Sequence, residues 1–135
     1  MARLFAEGRF PPDAFWSKEL ISSRLLEFEV FNRVHARGAG LTHAADASRL
    51  IGRISLLEMS PRVLGRALLP FSSPVRTLDA LHLATMDFLR AEGQTLELAT
   101  YDKRLAAAAN ALGFSLAQLG KRSRSIDSNA AHRFR

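Results

Sequence analysis

The sequence predicts a single doubly wound α/β domain built on a mainly parallel sheet. Three features predict it. Short apolar runs alternate with longer stretches of helical periodicity, the connections between them are brief, and glycines fall where the periodic stretches end. The 135 residues are one domain's worth, and 47% hydrophobic content with 24% charge is enough to bury one sizeable core.

In chain order, Arg3-Leu-Phe-Ala-Glu7 reads as the end of a helix. Leu20-Ile-Ser22 is a short apolar run, and Ser22 or Ser23 can cap a helix in which Leu26, Val30 and Val34 recur every four residues until Gly38. Thr42 is the expected cap of a second helix through Ile51, and Ile54-Ser-Leu-Leu57 then reads as a buried strand bounded by Pro61. A helix over 61–69 runs into a loop marked by Pro70, Ser72, Ser73 and Pro74. Thr77 is expected to cap a long helix to Ala91, which Gly93 ends. Leu96-Glu-Leu-Ala99 is the next strand, a helix over 103–112 stops at Gly113, and 114–119 supply a last strand before a polar tail. The expected division is a domain over 1–120 and a flexible basic tail over 121–135.

Doubly wound sheets place active sites beyond the carboxyl ends of their strands. Three carboxylates occupy such places: Glu29 in the helix after the first apolar run, Asp79 opening the long helix, and Asp102 just after the strand at 96–99. Each also has a purely structural explanation. Asp79 suits the positive end of a helix dipole, Asp102 can cap the next helix, and Glu29 can pair with Arg33 one turn on. Thr100 and Asn32 are possible supporting groups, and Lys103 and Arg104 can meet phosphates or simply be solvated. His82, one turn past Asp79, reads as a packed or hydrogen-bonded structural histidine, while His35, His43 and His132 lack metal-ligand spacing.

Several function classes are excluded or disfavoured. The chain has no cysteine, so disulfides, thiolate metal sites and cysteine nucleophiles are out, and any metal must rest on oxygen or imidazole. No apolar run approaches the about 20 residues of a membrane-spanning helix and no signal-peptide progression opens the chain, which predicts a cytoplasmic protein. A nucleotide-binding domain is disfavoured because no Gly-rich loop opens a predicted helix. The net charge of +6 is uneven: residues 121–135 hold five basic side chains and one acidic, leaving fourteen and twelve elsewhere. Two readings of the tail stay open: attraction to polyanions through Lys121, Arg122 and Arg124, or a disordered end that only solubilises the chain.

Two segments, Arg76-Thr-Leu-Asp-Ala-Leu-His-Leu-Ala84 and Thr100-Tyr-Asp-Lys-Arg-Leu-Ala-Ala-Ala-Ala109, closely resemble the C-terminal signatures of PIN-domain ribonucleases of the VapC toxin type. Ser22-Ser-Arg-Leu-Leu-Glu-Phe-Glu-Val-Phe-Asn32 is similar to that family's second-strand and glutamate segment, with Glu29 a better match than Glu27. The resemblance runs from about residue 3 to residue 119. It implies a three-layer α/β/α fold and an acidic cluster that binds Mg2+ or Mn2+ to cleave RNA. Of the family's four acidic positions, Glu29, Asp79 and Asp102 carry over. It further implies a homodimer and a small VapB-like antitoxin that inserts into the active cleft.

The departure is at the front. Family members open with a central apolar strand ending in aspartate, whereas Met1-Ala-Arg-Leu-Phe-Ala-Glu-Gly8 resembles the helix that follows it. The first strand and its aspartate are therefore expected to be missing. Two functions stay open: a metal-dependent endoribonuclease of a toxin–antitoxin pair, or a catalytically impaired remnant that binds RNA or protein.

Overall fold

The structure, a computed structural model, describes residues 13–38 and 40–119. The helix expected at 3–7 and the basic tail over 121–135 lie outside the described residues. A 3-10 turn, Asp13–Ser17, leads to strand β1 (Ile21–Ser23), helices α1 (Leu25–Ala36) and α2 (Gly40–Ile51), and strand β2 (Ser55–Leu57). Helices α3 (Pro61–Ala67) and α4 (Thr77–Ala91) follow, then β3 (Glu97–Leu98), α5 (Lys103–Ala111) and β4 (Ser115–Leu116). The fold is mixed α/β as expected, and every described strand pairing is parallel.

The expected single sheet is divided among the described residues. β1 pairs with β2, Ile21 opposite Ser55 and Ser23 opposite Leu57, while β3 pairs with β4, and the two pairs share no ladder. Each pair has its own apolar core. Leu26 and Val30 of α1 pack with Ala47, Ile51 and Ile54 behind the first pair. Leu83 of α4 packs with Ala108, Ala109 and Phe114 behind the second. Complete burial of a side chain such as Leu83 contributes about 1.5–3 kcal/mol.

Helix ends follow local chemistry. Gly38, Gly93 and Gly113 take φ of 69°, 90° and 88° just past α1, α4 and α5, a backbone that glycine adopts without steric cost. Ser60 caps α3 by accepting from the Val63 amide, with Pro61 at the first helical position. Two expected caps shift by a residue. Arg24, not a serine, is the N-cap of α1, although Ser23 Oγ accepts from the Leu25 amide at 3.0 Å. Arg76 rather than Thr77 is the extended N-cap of α4 and offers no side-chain cap, because the chain stays extended one residue fewer than the capping rule assumes. α2 begins at Gly40, ahead of the expected cap Thr42. Among the described residues, no helix is long and apolar enough to cross a membrane.

Candidate active site

A cleft of about 850 Å³ lies between the two strand pairs. It touches every residue from Leu20 to Ser23 and from Thr95 to Ala99, but none of β2 or β4. Successive strand residues point to opposite faces, so a cleft that meets all of them runs along the facing edges of β1 and β3. Helix α1 lines it with Glu29, Asn32, Arg33 and Ala36, and α4 with Asp79, His82, Met86 and Leu89. Both sets follow the three- and four-residue spacing of one helix face.

The three candidate carboxylates all line this cleft. Glu29 follows from α1's other face: Leu26 and Val30 are buried in the core, which turns the neighbouring Glu29 toward the cleft. Its partner is His82, whose Nε2 lies 2.5 Å from Glu29 Oε1, and not Arg33. Asp79 sits in the first turn of α4, partly exposed and 4.0 Å from the Arg76 guanidinium. Asp102 is only 8% exposed and caps α5, Oδ1 accepting from the Arg104 amide at 3.0 Å and the Leu105 amide at 3.5 Å. Thr100 Oγ1 accepts from the Asp102 amide at 3.0 Å, and Tyr101 donates to the Leu119 carbonyl at 3.0 Å. That loop is therefore pinned on both sides of Asp102.

Oxygen donors from three elements suit a hard divalent cation. Each carboxylate, however, already has a donor or cation beside it: His82 for Glu29, Arg76 for Asp79, helix amides for Asp102. Among the described residues, no three His, Asp or Glu side chains converge closely enough to hold a metal ion. The donor chemistry fits; the spacing leaves the group open.

Asn32 and Thr100 line the cleft, as expected for supporting groups. Lys103 and Arg104 are exposed on the first turn of α5 and do not line it, and Lys121, Arg122 and Arg124 lie outside the described residues. Three cations that the sequence did not single out for this role, Lys18, Arg33 and Arg76, do line it. The i+3 relation of His82 to Asp79 was the available signal for His82: it puts both on one face of α4.

Across 99 residues, 71% of this chain and 71% of the other, the sequence is 39% identical to Ribonuclease VapC46 of Mycobacterium tuberculosis (strain ATCC 25618 / H37Rv). No protein-family model matches the chain. No solved structure matches it.

Proposed function

The chain belongs to the VapC-like family of PIN-domain proteins, and from that premise we propose that it is a metal-dependent endoribonuclease, the toxin of a toxin–antitoxin pair acting in the cytoplasm. The observation that carries the proposal is that Glu29, Asp79 and Asp102, contributed by α1, α4 and the loop after β3, line one cleft. These residues would hold Mg2+ or Mn2+. The chemistry supplied by such an ion when bound is activation of water near neutral pH and neutralisation of charge on the scissile phosphate. Asp102, buried and fixed by two helix amides and by the Thr100 loop, is the most rigid of the three. Lys18, Arg33 and Arg76 are placed to meet RNA phosphates at the cleft, with Lys103, Arg104 and the tail cations Lys121, Arg122 and Arg124 acting beyond it.

The proposed fold is the family's three-layer α/β/α sandwich, with one more parallel strand between β1 and β3. The cleft meets every residue of β1 and β3, which supports that place for the added strand. A carboxylate at that strand's end would stand among the other three. The mouth of the cleft around the three carboxylates is the proposed seat of a VapB-like antitoxin. Homodimerisation is supported by the exposed apolar side chains Leu64, Leu68 and Leu69 at the end of α3, Leu68 being 87% exposed.

A second reading, a catalytically impaired remnant that binds RNA or protein, is favoured by the open spacing of the carboxylates. Cleavage of a labelled RNA separates the two. The enzyme reading expects cleavage that requires Mg2+ or Mn2+, stops in chelator, and falls by about 100-fold in Asp79→Asn. Cleavage that survives chelator, or that Asp79→Asn leaves intact, overturns the metal-nuclease reading in favour of binding.

A further inference from the structure

Resting on the reading of Glu29 as a metal ligand, we propose that His82 is the positioning residue that holds the Glu29 carboxylate in place for the ion. His82 Nε2 donates to Glu29 Oε1 at 2.5 Å, across the cleft from α4 to α1. The two side chains are 18% and 28% exposed, so the bond is partly shielded from water and stronger for it. Arg33, one turn from Glu29 on the same helix, is exposed and is not its partner; the fold aligns the carboxylate with α4 instead.

The arrangement makes α4 deliver two things from one face: the Asp79 carboxylate and, one turn later, the donor that fixes Glu29. Imidazole with its proton on Nε2 and imidazolium both donate there. Engaging one carboxylate oxygen leaves the other for a ligand in the cleft. Without the donor, a glutamate side chain samples several rotamers and is ordered only when the ion binds, which weakens binding. Outer-shell partners of metal ligands typically control affinity by about 10- to 100-fold.

The test titrates the full chain with Mn2+ at one fixed pH and reads free Mn2+ by electron paramagnetic resonance. Glu29→Gln should weaken binding strongly. His82→Phe, which keeps a ring but has no donor, should raise the Mn2+ Kd by about 10- to 100-fold, and His82→Gln, whose amide N–H can reach the carboxylate, should restore most of it. In the Glu29→Gln background, His82→Phe should add nothing. If His82→Phe fails to fold, His82→Leu gives the same comparison with a smaller side chain. A Kd that is unchanged or tighter on loss of the donor, even with a lower melting midpoint, makes His82 a mere tie between helices and overturns the inference. If Glu29→Gln binds Mn2+ like the wild type, the metal reading itself has failed and this inference falls with it.

Discussion

Asp102 caps α5 through Oδ1 and also lines the cleft, so two substitutions pull its roles apart. Asparagine caps helices about as well as aspartate but carries no charge, whereas alanine does neither. Asp102→Asn should therefore keep the unfolding free energy within about 0.5 kcal/mol while ion-dependent RNA cleavage falls by about 100-fold. Asp102→Ala should lose the activity and about 1 kcal/mol of stability besides. Chemical denaturation and a cleavage assay on both variants check this, and an active Asp102→Asn enzyme would reduce the residue to its cap. The cap was legible in the sequence because its partners lie two and three residues away. The Glu29–His82 bond was not. Its members are 53 residues apart, and periodicity tells which face a side chain takes, not which other helix that face meets.

At the scale of elements, α3 and α4 form a hairpin fastened by charge. Arg66 of α3 donates to Asp87 of α4 at 2.8 Å, Arg90 donates to the same carboxylate at 2.8 Å, and Arg62 reaches Glu92 at 2.8 Å. Burial pushes the Asp87 carboxyl up, but hydrogen bonds from Arg66 and Arg90, with their charge, outweigh it and hold the carboxyl below its ordinary value of 3.8. A lowered folded pKa means stability that is fully present above the unfolded value and is lost as pH falls through the folded one. The stability gap between wild type and Asp87→Asn should thus be widest above about pH 4 and close on further acidification. Urea unfolding from neutral to acid pH measures it; a gap independent of pH would contradict the assignment. The helices themselves were readable from apolar spacing and from Gly38, Gly93 and Gly113. Strands were readable as runs but came out shorter, β3 and β4 at two residues each, because a ladder extends only as far as both partners do.

The whole molecule turns on the gap between the strand pairs. Sequence order suggested alternating helices and strands and so a parallel sheet, and both pairs are parallel. What it could not show is that β1 and β3 line one cleft, because strand order is set by tertiary packing and not by local pattern. Among the described residues the three carboxylates stand around that cleft without converging on an ion, and on the proposed reading a central strand ending in a carboxylate would add a fourth ligand and support the other three. The most direct measurement compares RNA cleavage by this chain with that of the same chain fused, ahead of residue 1, to five β-branched apolar residues and an aspartate. In Mn2+ the fused form should cleave about 100-fold faster, and chelator should abolish the gain. Equal rates for the two forms, or a gain that persists in chelator, would contradict the account of the cleft as a metal-dependent nuclease site completed by a strand.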